Sequence, residues 1–203
     1  MLSDVLYVLS LVERFLSEPL RENGGCVFVT HGRLIVDLDA LAANYGMFRD
    51  RSEAGCAAVV KANAYGLGLV PVARRLVEAG CTQFFVATEA EGAQLIKIVP
   101  ETEIFVLSGV AKIPGLVPVV NRVSDMGHGP VAIHVDTGMN RLGIDPREVP
   151  DRAEIRLLIT HLACSDRPEH PLNALQLERF EEVAKRFPNV PVSIANSAGV
   201  LNG

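Results

Sequence analysis

Lys61 is the residue whose position points most directly to chemistry. It follows the apolar run at residues 57–60, which predicts a buried strand. A lysine at the end of such a strand loses water, which lowers the pKa of the amine and makes it a nucleophile for carbonyl compounds. The chemistry that this position favours is the formation of a Schiff base.

Three later segments are rich in small and polar residues and also follow predicted strands. They are HVDTGMNRLG at 134–143, THLA at 160–163 and ANSAG at 195–199. In a parallel α/β fold the carboxyl ends of the strands form the site, so these segments should converge with Lys61. The turn at 195–199 leads toward a helix and offers backbone N–H groups and a hydroxyl to an anion. A reactive lysine together with a phosphate-binding turn suggests pyridoxal phosphate as cofactor.

Strands and helices alternate along the part of the chain that must position these segments. The strand runs are apolar throughout, so both faces should be buried, which favours a parallel sheet covered by helices. Thr88 and Glu91 predict a capping box that opens one helix. The predicted strands cover residues 34–37, 57–60, 84–87, 104–107, 117–121, 131–136, 155–160 and 192–195, and further helices cover 39–48, 70–79 and 174–187.

The number of strands falls short of a closed barrel. Six clear strand signals begin at residue 57, or seven with 117–121, whereas a (β/α)8 barrel has eight and typically about 250 residues. The link at 122–130 is shorter than the roughly twelve residues that a parallel crossover takes. Either the flanking strands are not joined by an ordinary βαβ unit, or a helix is missing. We therefore expect an α/β fold with an incomplete (β/α)8 barrel of the TIM type, open rather than closed.

The composition disfavours several classes of partner. A net charge of −5 gives no basic surface for nucleic acid, and no apolar run is long enough to span a membrane. We therefore expect no nucleic-acid or membrane partner. The first residues lack the features of a secretory signal, so we expect a cytoplasmic protein. The cysteines are spread without disulfide or metal-ligand spacing, so no metal is expected; they are Cys26, Cys56, Cys81 and Cys164.

Residues 1–30 are expected to form an N-terminal extension that precedes a barrel domain at 31–203. Apolar residues recur at helical spacing in its first half, which predicts an amphipathic helix. These residues are Leu2, Val5, Leu9, Val12 and Leu16.

The segment AVVKANAYGLG at 58–68 resembles the pyridoxal-attachment motif of bacterial alanine racemases. HVDTGMNRLGI at 134–144 resembles their second signature, and THLACSD and SIANSAGVL follow in the family's order. The likeness runs from residue 32 to the end of the chain. It implies the family's N-terminal barrel, pyridoxal phosphate as cofactor, a homodimer, and interconversion of L- and D-alanine. This reaction would supply D-alanine as a precursor of peptidoglycan.

The resemblance also implies roles for individual residues. Lys61 would bind the cofactor covalently and act as the base on one face of the substrate carbon. Tyr65 would lie near the cofactor phosphate, and Arg141 would contact the cofactor or the substrate carboxylate. The remaining cofactor contacts would come from His161, Asn196 and Ser197.

The sequence departs from the family pattern in ways that bear on activity. His134 stands where the family often has a carbamylated lysine that partners the arginine, and two internal connections are shortened. The β-rich second domain, which supplies the base on the opposite face, is expected to be absent, and the chain's three tyrosines do not match that base's context. We therefore expect an incomplete racemase of low or no activity. The alternative is a non-catalytic barrel that binds pyridoxal phosphate, or a decayed fragment.

Overall fold

A parallel sheet of eight strands forms the centre of the protein. The computed structural model describes residues 6–7, 13–16, 33–52, 55–151 and 154–202. The strands are β1 (Leu6–Tyr7), β2 (Glu13–Leu16), β3 (Arg33–Val36), β4 (Cys56–Val59), β5 (Gln83–Val86), β6 (Glu103–Val106), β7 (Leu116–Val120), β8 (Val131–His134), β9 (Ile155–Ile159) and β10 (Val192–Ser193). The helices are α1 (Leu38–Arg49), α2 (Lys61–Tyr65), α3 (Leu69–Glu78), α4 (Glu89–Leu95), α5 (Pro171–Ala184) and α6 (Ser197–Asn202).

The sheet is open, as the sequence predicts. Its order is β1-β4-β5-β6-β7-β8-β9-β10, and every neighbouring pair is parallel. Within the described residues, β1 and β10 lie at the two edges and do not pair with each other. The seven strands from β4 to β10 match the seven that the sequence predicts from residue 57. β1 adds an eighth parallel strand that the sequence does not predict, and the barrel is nevertheless incomplete because its two edges do not pair. The register shifts between Val131 and Ala132, where β8 meets β9.

The N-terminal region differs from expectation where the structure describes it. The two described pieces are strands and not parts of an amphipathic helix, because their backbone groups pair with other strands. β1 adds to the edge of the sheet beside β4, and β2 pairs antiparallel with β3 in a separate two-stranded sheet. The other residues of the expected helix lie outside the described part of the chain.

Two parts of the sheet are connected in different ways. In the helix-linked part (β4, β5 and β6), the connections contain α2, α3 and α4. In the turn-linked part (β7, β8 and β9), the described residues of the connections at 107–115, 121–130 and 135–154 contain only 3-10 turns, at Val123–Asp125 and Pro146–Glu148. The short link at 122–130 therefore joins adjacent parallel strands without an ordinary βαβ unit.

Apolar side chains fill both faces of the sheet. One cluster lies between the helix-linked strands and α1, α3 and α4, and a second lies between the turn-linked strands and α5. A third cluster fills the concave side, where the rings of Phe85 and Phe105 stack with their centroids 4.6 Å apart. In the part of the chain that the structure describes, no helix has the length and apolarity to cross a membrane.

Candidate active site

A cavity of about 610 Å³ opens at the carboxyl ends of the strands. This volume lies within the range of small-molecule sites, roughly 300–1,000 Å³. Phe85, Leu107 and Ile159 give it an apolar floor. All six residues that the sequence predicts for the site line the cavity, together with His134: they are Lys61, Tyr65, Arg141, His161, Asn196 and Ser197.

Lys61 opens a left-handed turn. The four residues that follow, at 62–65, have φ between 52° and 55°, although none of them is glycine. The backbone groups nevertheless pair, since Ala64 N–H donates to the Val60 carbonyl and Gly66 N–H donates to the Ala62 carbonyl, each at 2.9 Å. L-residues in this conformation cost about 1–2 kcal/mol each, and strain of this kind is characteristic of functional sites. The Lys61 side chain is half-buried, so it keeps more contact with water than the sequence predicts.

Tyr65 ends the same turn and lies beside the lysine. The Lys61 Nζ is 5.9 Å from the centroid of the Tyr65 ring, within the range of a cation–π contact. Burial raises the pKa of the Tyr65 hydroxyl, so this group keeps its proton at neutral pH. Asn63, between these two residues, accepts a hydrogen bond from Leu69 N–H at 2.8 Å and thereby joins the turn to the start of α3.

His134 is held in one tautomer by Asn121. Both amide protons of Asn121 go to carbonyls, of Leu107 at 2.9 Å and of Val119 at 3.0 Å, so its Oδ1 is an acceptor. The His134 Nδ1, 2.9 Å from that oxygen, must therefore carry the proton. Burial lowers the pKa of His134 to about 4, with the charge of His161 a secondary cause. A neutral imidazole thus lines the cavity with Nε2 as a hydrogen-bond acceptor.

Arg141 lies in the connection that follows β8, and His161 follows the end of β9. Burial lowers the pKa of His161, and the nearby charges of Arg141 and Lys61 lower it further, so this ring is also held neutral. The Arg141 side chain is exposed at the mouth of the cavity. Its loop is ordered by Asp136, which accepts hydrogen bonds from the N–H groups of residues 138 and 140, each at 3.0 Å.

A buried chain of hydrogen bonds connects the loops that carry these two residues. Gln176 Nε2 donates to Thr137 Oγ1 at 3.1 Å, and Thr160 Oγ1 donates to the Val135 carbonyl at 2.9 Å. The two threonine hydroxyls are 2.8 Å apart, so Thr137 donates to Thr160. Gln176 also accepts from the backbone N–H of residue 163 and donates to the His161 carbonyl. Sequence reasoning missed these residues, because the paired side chains are far apart in the chain.

Asn196 and Ser197 lie where β10 leads into α6. Asn196 Oδ1 accepts a hydrogen bond from Gly199 N–H at 3.0 Å, which closes the turn at the start of that helix. Both residues line the cavity, on the side contributed by the last strand. The structure thus brings this turn to the same cavity as Lys61.

Comparisons with known proteins agree with this geometry. A family model described as "Alanine racemase, N-terminal domain" matches residues 36–203. The alanine racemase of Rhizobium meliloti (strain 1021) is 44% identical over 200 residues, which cover 84% of this chain and 52% of that protein. The alanine racemase of Rhodospirillum rubrum is 41% identical, over 84% and 54% of the two chains. The chain thus spans about half the length of the curated relatives that it matches.

Solved structures of alanine racemases are also similar to this chain. The alanine racemase of Bartonella henselae, whose crystal structure contains covalently bound pyridoxal phosphate, has a TM-score of 0.75 and 35% identity, covering 82% of this chain and 57% of that one. The biosynthetic alanine racemase of Pseudomonas aeruginosa has a TM-score of 0.67 and 30% identity, over 81% and 53% of the two chains.

Proposed function

The chain belongs to the alanine racemase family, and from this premise we propose that its cavity binds pyridoxal phosphate through Lys61 for the interconversion of L- and D-alanine. The observation that carries the proposal is the position of the lysine. Lys61 lines a cavity that is also lined by the five other residues expected to contact cofactor or substrate.

The residues of the cavity suit this cofactor. The apolar side chains of Phe85, Leu107 and Ile159 line the cavity and would suit contact with the cofactor's aromatic ring. Ser197 and Asn196 are polar residues of the kind that bind phosphate oxygens. When bound, pyridoxal phosphate supplies an electron sink that stabilises negative charge at the substrate carbon.

Side chains of this protein would perform the proton transfer and bind the cofactor and the substrate. The Lys61 Nζ takes or returns a proton on one face of the substrate carbon. The guanidinium of Arg141 binds a carboxylate, for which its planar array of donors is suited. The Tyr65 hydroxyl would donate a hydrogen bond to the cofactor phosphate. His161 would contact the cofactor without adding a positive charge, because its pKa is lowered.

Racemisation also needs an acid on the opposite face, and the described tyrosines do not suit this role. Tyr45 is only 2% exposed and donates to the Cys56 carbonyl at 3.0 Å, so it belongs to the core. Tyr65 is on the same turn as Lys61. The structure describes the backbone of Tyr7 but not its side chain. An acid or base contributes roughly 10²–10⁴-fold to a rate, so a barrel that binds the cofactor with little or no turnover is our second candidate.

Trapping of the cofactor tests the proposal. The purified chain is mixed with pyridoxal phosphate, reduced with borohydride, and mapped by peptide mass spectrometry. We expect the label on Lys61, no label in Lys61→Ala, and full labelling in Lys97→Ala, which changes an exposed lysine of the same chain. A label on another lysine, or none on folded protein, contradicts the assignment.

A racemisation assay distinguishes an active racemase from a barrel that only binds the cofactor. Chiral chromatography compares the conversion of alanine by the loaded chain with that by the alanine racemase of Rhizobium meliloti. We expect a rate at least about a hundredfold lower, because the described tyrosines do not suit the opposite-face acid. Family-like rates in both directions would rule out the binding-only candidate. His161→Gln would then test whether His161 serves the opposite face.

A further inference from the structure

We propose that Glu91 is a positioning residue for Lys61, because its carboxylate holds the left-handed turn that carries the lysine. The proposal concerns the conformation of this chain, and it rests on the proposed function only where it predicts the effect on cofactor affinity. Glu91 belongs to α4, on the neighbouring connection of the sheet, and lies outside the set of residues that line the cavity.

The carboxylate of Glu91 binds three backbone donors from two strand ends. Oε1 accepts from Ala62 N–H at 2.7 Å. Oε2 accepts from Ala87 N–H at 2.7 Å and from Thr88 N–H at 3.1 Å. One side chain therefore connects the ends of β4 and β5 across the rim of the cavity.

The hydrogen bond from Ala62 N–H to Glu91 satisfies a backbone donor at the start of the left-handed turn. Ala62 is the second residue of α2, and the first N–H groups of a helical turn have no acceptor within it. The turn is already unfavourable, because L-residues avoid this region of φ and ψ. A carboxylate acceptor gives a short, charge-assisted hydrogen bond, which is stronger than a neutral one. The Glu91 contact thus favours the conformation that directs Lys61 into the cavity.

A capping box alone does not account for this arrangement. The box needs Thr88 Oγ1 to accept from Glu91 N–H, at 3.3 Å, and one carboxylate oxygen to accept from Thr88 N–H. The second oxygen of Glu91 is left over from the box, and it is the one that binds Ala62. Thr88→Ala therefore breaks the box while it leaves the link to the lysine turn in place.

Hydrogen–deuterium exchange of the cofactor-free protein tests the proposal. In Glu91→Ala, the amides of residues 62–66 should exchange about tenfold faster, which corresponds to loss of a hydrogen bond to a charged group. In Thr88→Ala, exchange should rise at residues 89–92 and stay unchanged at 62–66. Should Glu91→Ala fail to fold, Glu91→Gln keeps the shape of the side chain and should shift exchange at 62–66 in the same direction.

Cofactor affinity gives the second readout. Titration with pyridoxal phosphate should give about a tenfold weaker Kd for Glu91→Ala and an unchanged Kd for Thr88→Ala. Glu89→Gln is a further control, since Glu89 lies in the same first turn but binds the N–H groups of Lys112 and Ile113.

The outcomes separate this inference from the proposed function. Unchanged exchange at 62–66 in both Glu91 variants, or equal loosening there in Thr88→Ala, overturns the inference. A wild-type chain that binds no pyridoxal phosphate overturns the proposed function. The exchange comparison is made without cofactor, so it decides the role of Glu91 in either case.

Discussion

The helix-linked and turn-linked parts of the sheet supply one cavity by different means. The helix-linked part packs α3 and α4 against its strands with apolar side chains, and it places Lys61 on a strained backbone turn. The turn-linked part has short connections, and side-chain hydrogen bonds hold His134, His161 and the loop that carries Arg141. A site can therefore keep its geometry when the crossover helices beside it are short or absent, provided that polar side chains link the strand ends.

The largest expected difference between the two parts is that acid should destabilise the turn-linked part through protonation of His134. The pKa of His134 is about 4 in the folded chain and about 6.5 in an unfolded one, so below pH 6.5 the unfolded state binds more protons. The free energy of unfolding should fall by about 3 kcal/mol as the pH decreases from 6.5 to 4. Urea unfolding at a series of pH values measures this loss.

Two variants assign the acid sensitivity to this residue. His134→Gln should remove most of the pH dependence, leaving the smaller contribution of His161, whose pKa is lowered in the same direction. His128→Gln replaces an exposed histidine of the 121–130 connection and should retain the full dependence. The assignment fails if both variants behave alike.

Gln176 gives the second contrast. Gln176→Leu removes the hydrogen bonds to Thr137, to the His161 carbonyl and to the N–H of residue 163, and leaves buried groups without partners. We expect the free energy of unfolding to fall by about 2 kcal/mol and the affinity for pyridoxal phosphate to weaken with it. Gln94→Leu, on the exposed face of α4, should change stability by less than about 0.5 kcal/mol. Denaturant unfolding of both variants makes the comparison, and equal losses would contradict it.

The smallest contrast tests the strain in the helix-linked part. Ala62→Gly should stabilise the chain by up to about 1 kcal/mol, because glycine adopts positive φ without a steric penalty. Ala43→Gly, on the exposed side of the right-handed helix α1, should destabilise it by about 1 kcal/mol. In urea unfolding, the free energy of unfolding should rise in Ala62→Gly and fall in Ala43→Gly. A fall in both variants would show that glycine at residue 62 relieves no backbone strain.

Local patterns predict most of the framework. The helix expected at residues 39–48 is α1 (Leu38–Arg49), and the one at 70–79 is α3 (Leu69–Glu78). The capping box at Thr88 and Glu91 is present as predicted. These elements depend on the spacing of apolar residues and on capping groups a few positions away, which a sequence displays directly.

Features that depend on distant partners could not be predicted. Alanine and tyrosine have no local preference for a left-handed turn, so the φ of Ala62 is set by contacts such as that with Glu91. The motif identifies Lys61 as a site residue but does not describe the conformation that presents it. The tautomer of His134 likewise depends on Asn121, whose orientation is fixed by the carbonyls of Leu107 and Val119.

The neutral histidines determine the electrostatic character of the cavity. Among the described residues that line it none is acidic, and the cationic side chains are Lys61 and Arg141. His134 and His161 add no charge near neutral pH, because the pKa of each is lowered. The field that attracts an anionic ligand therefore comes from the side chains of Lys61 and Arg141, so its strength should fall as the ionic strength rises.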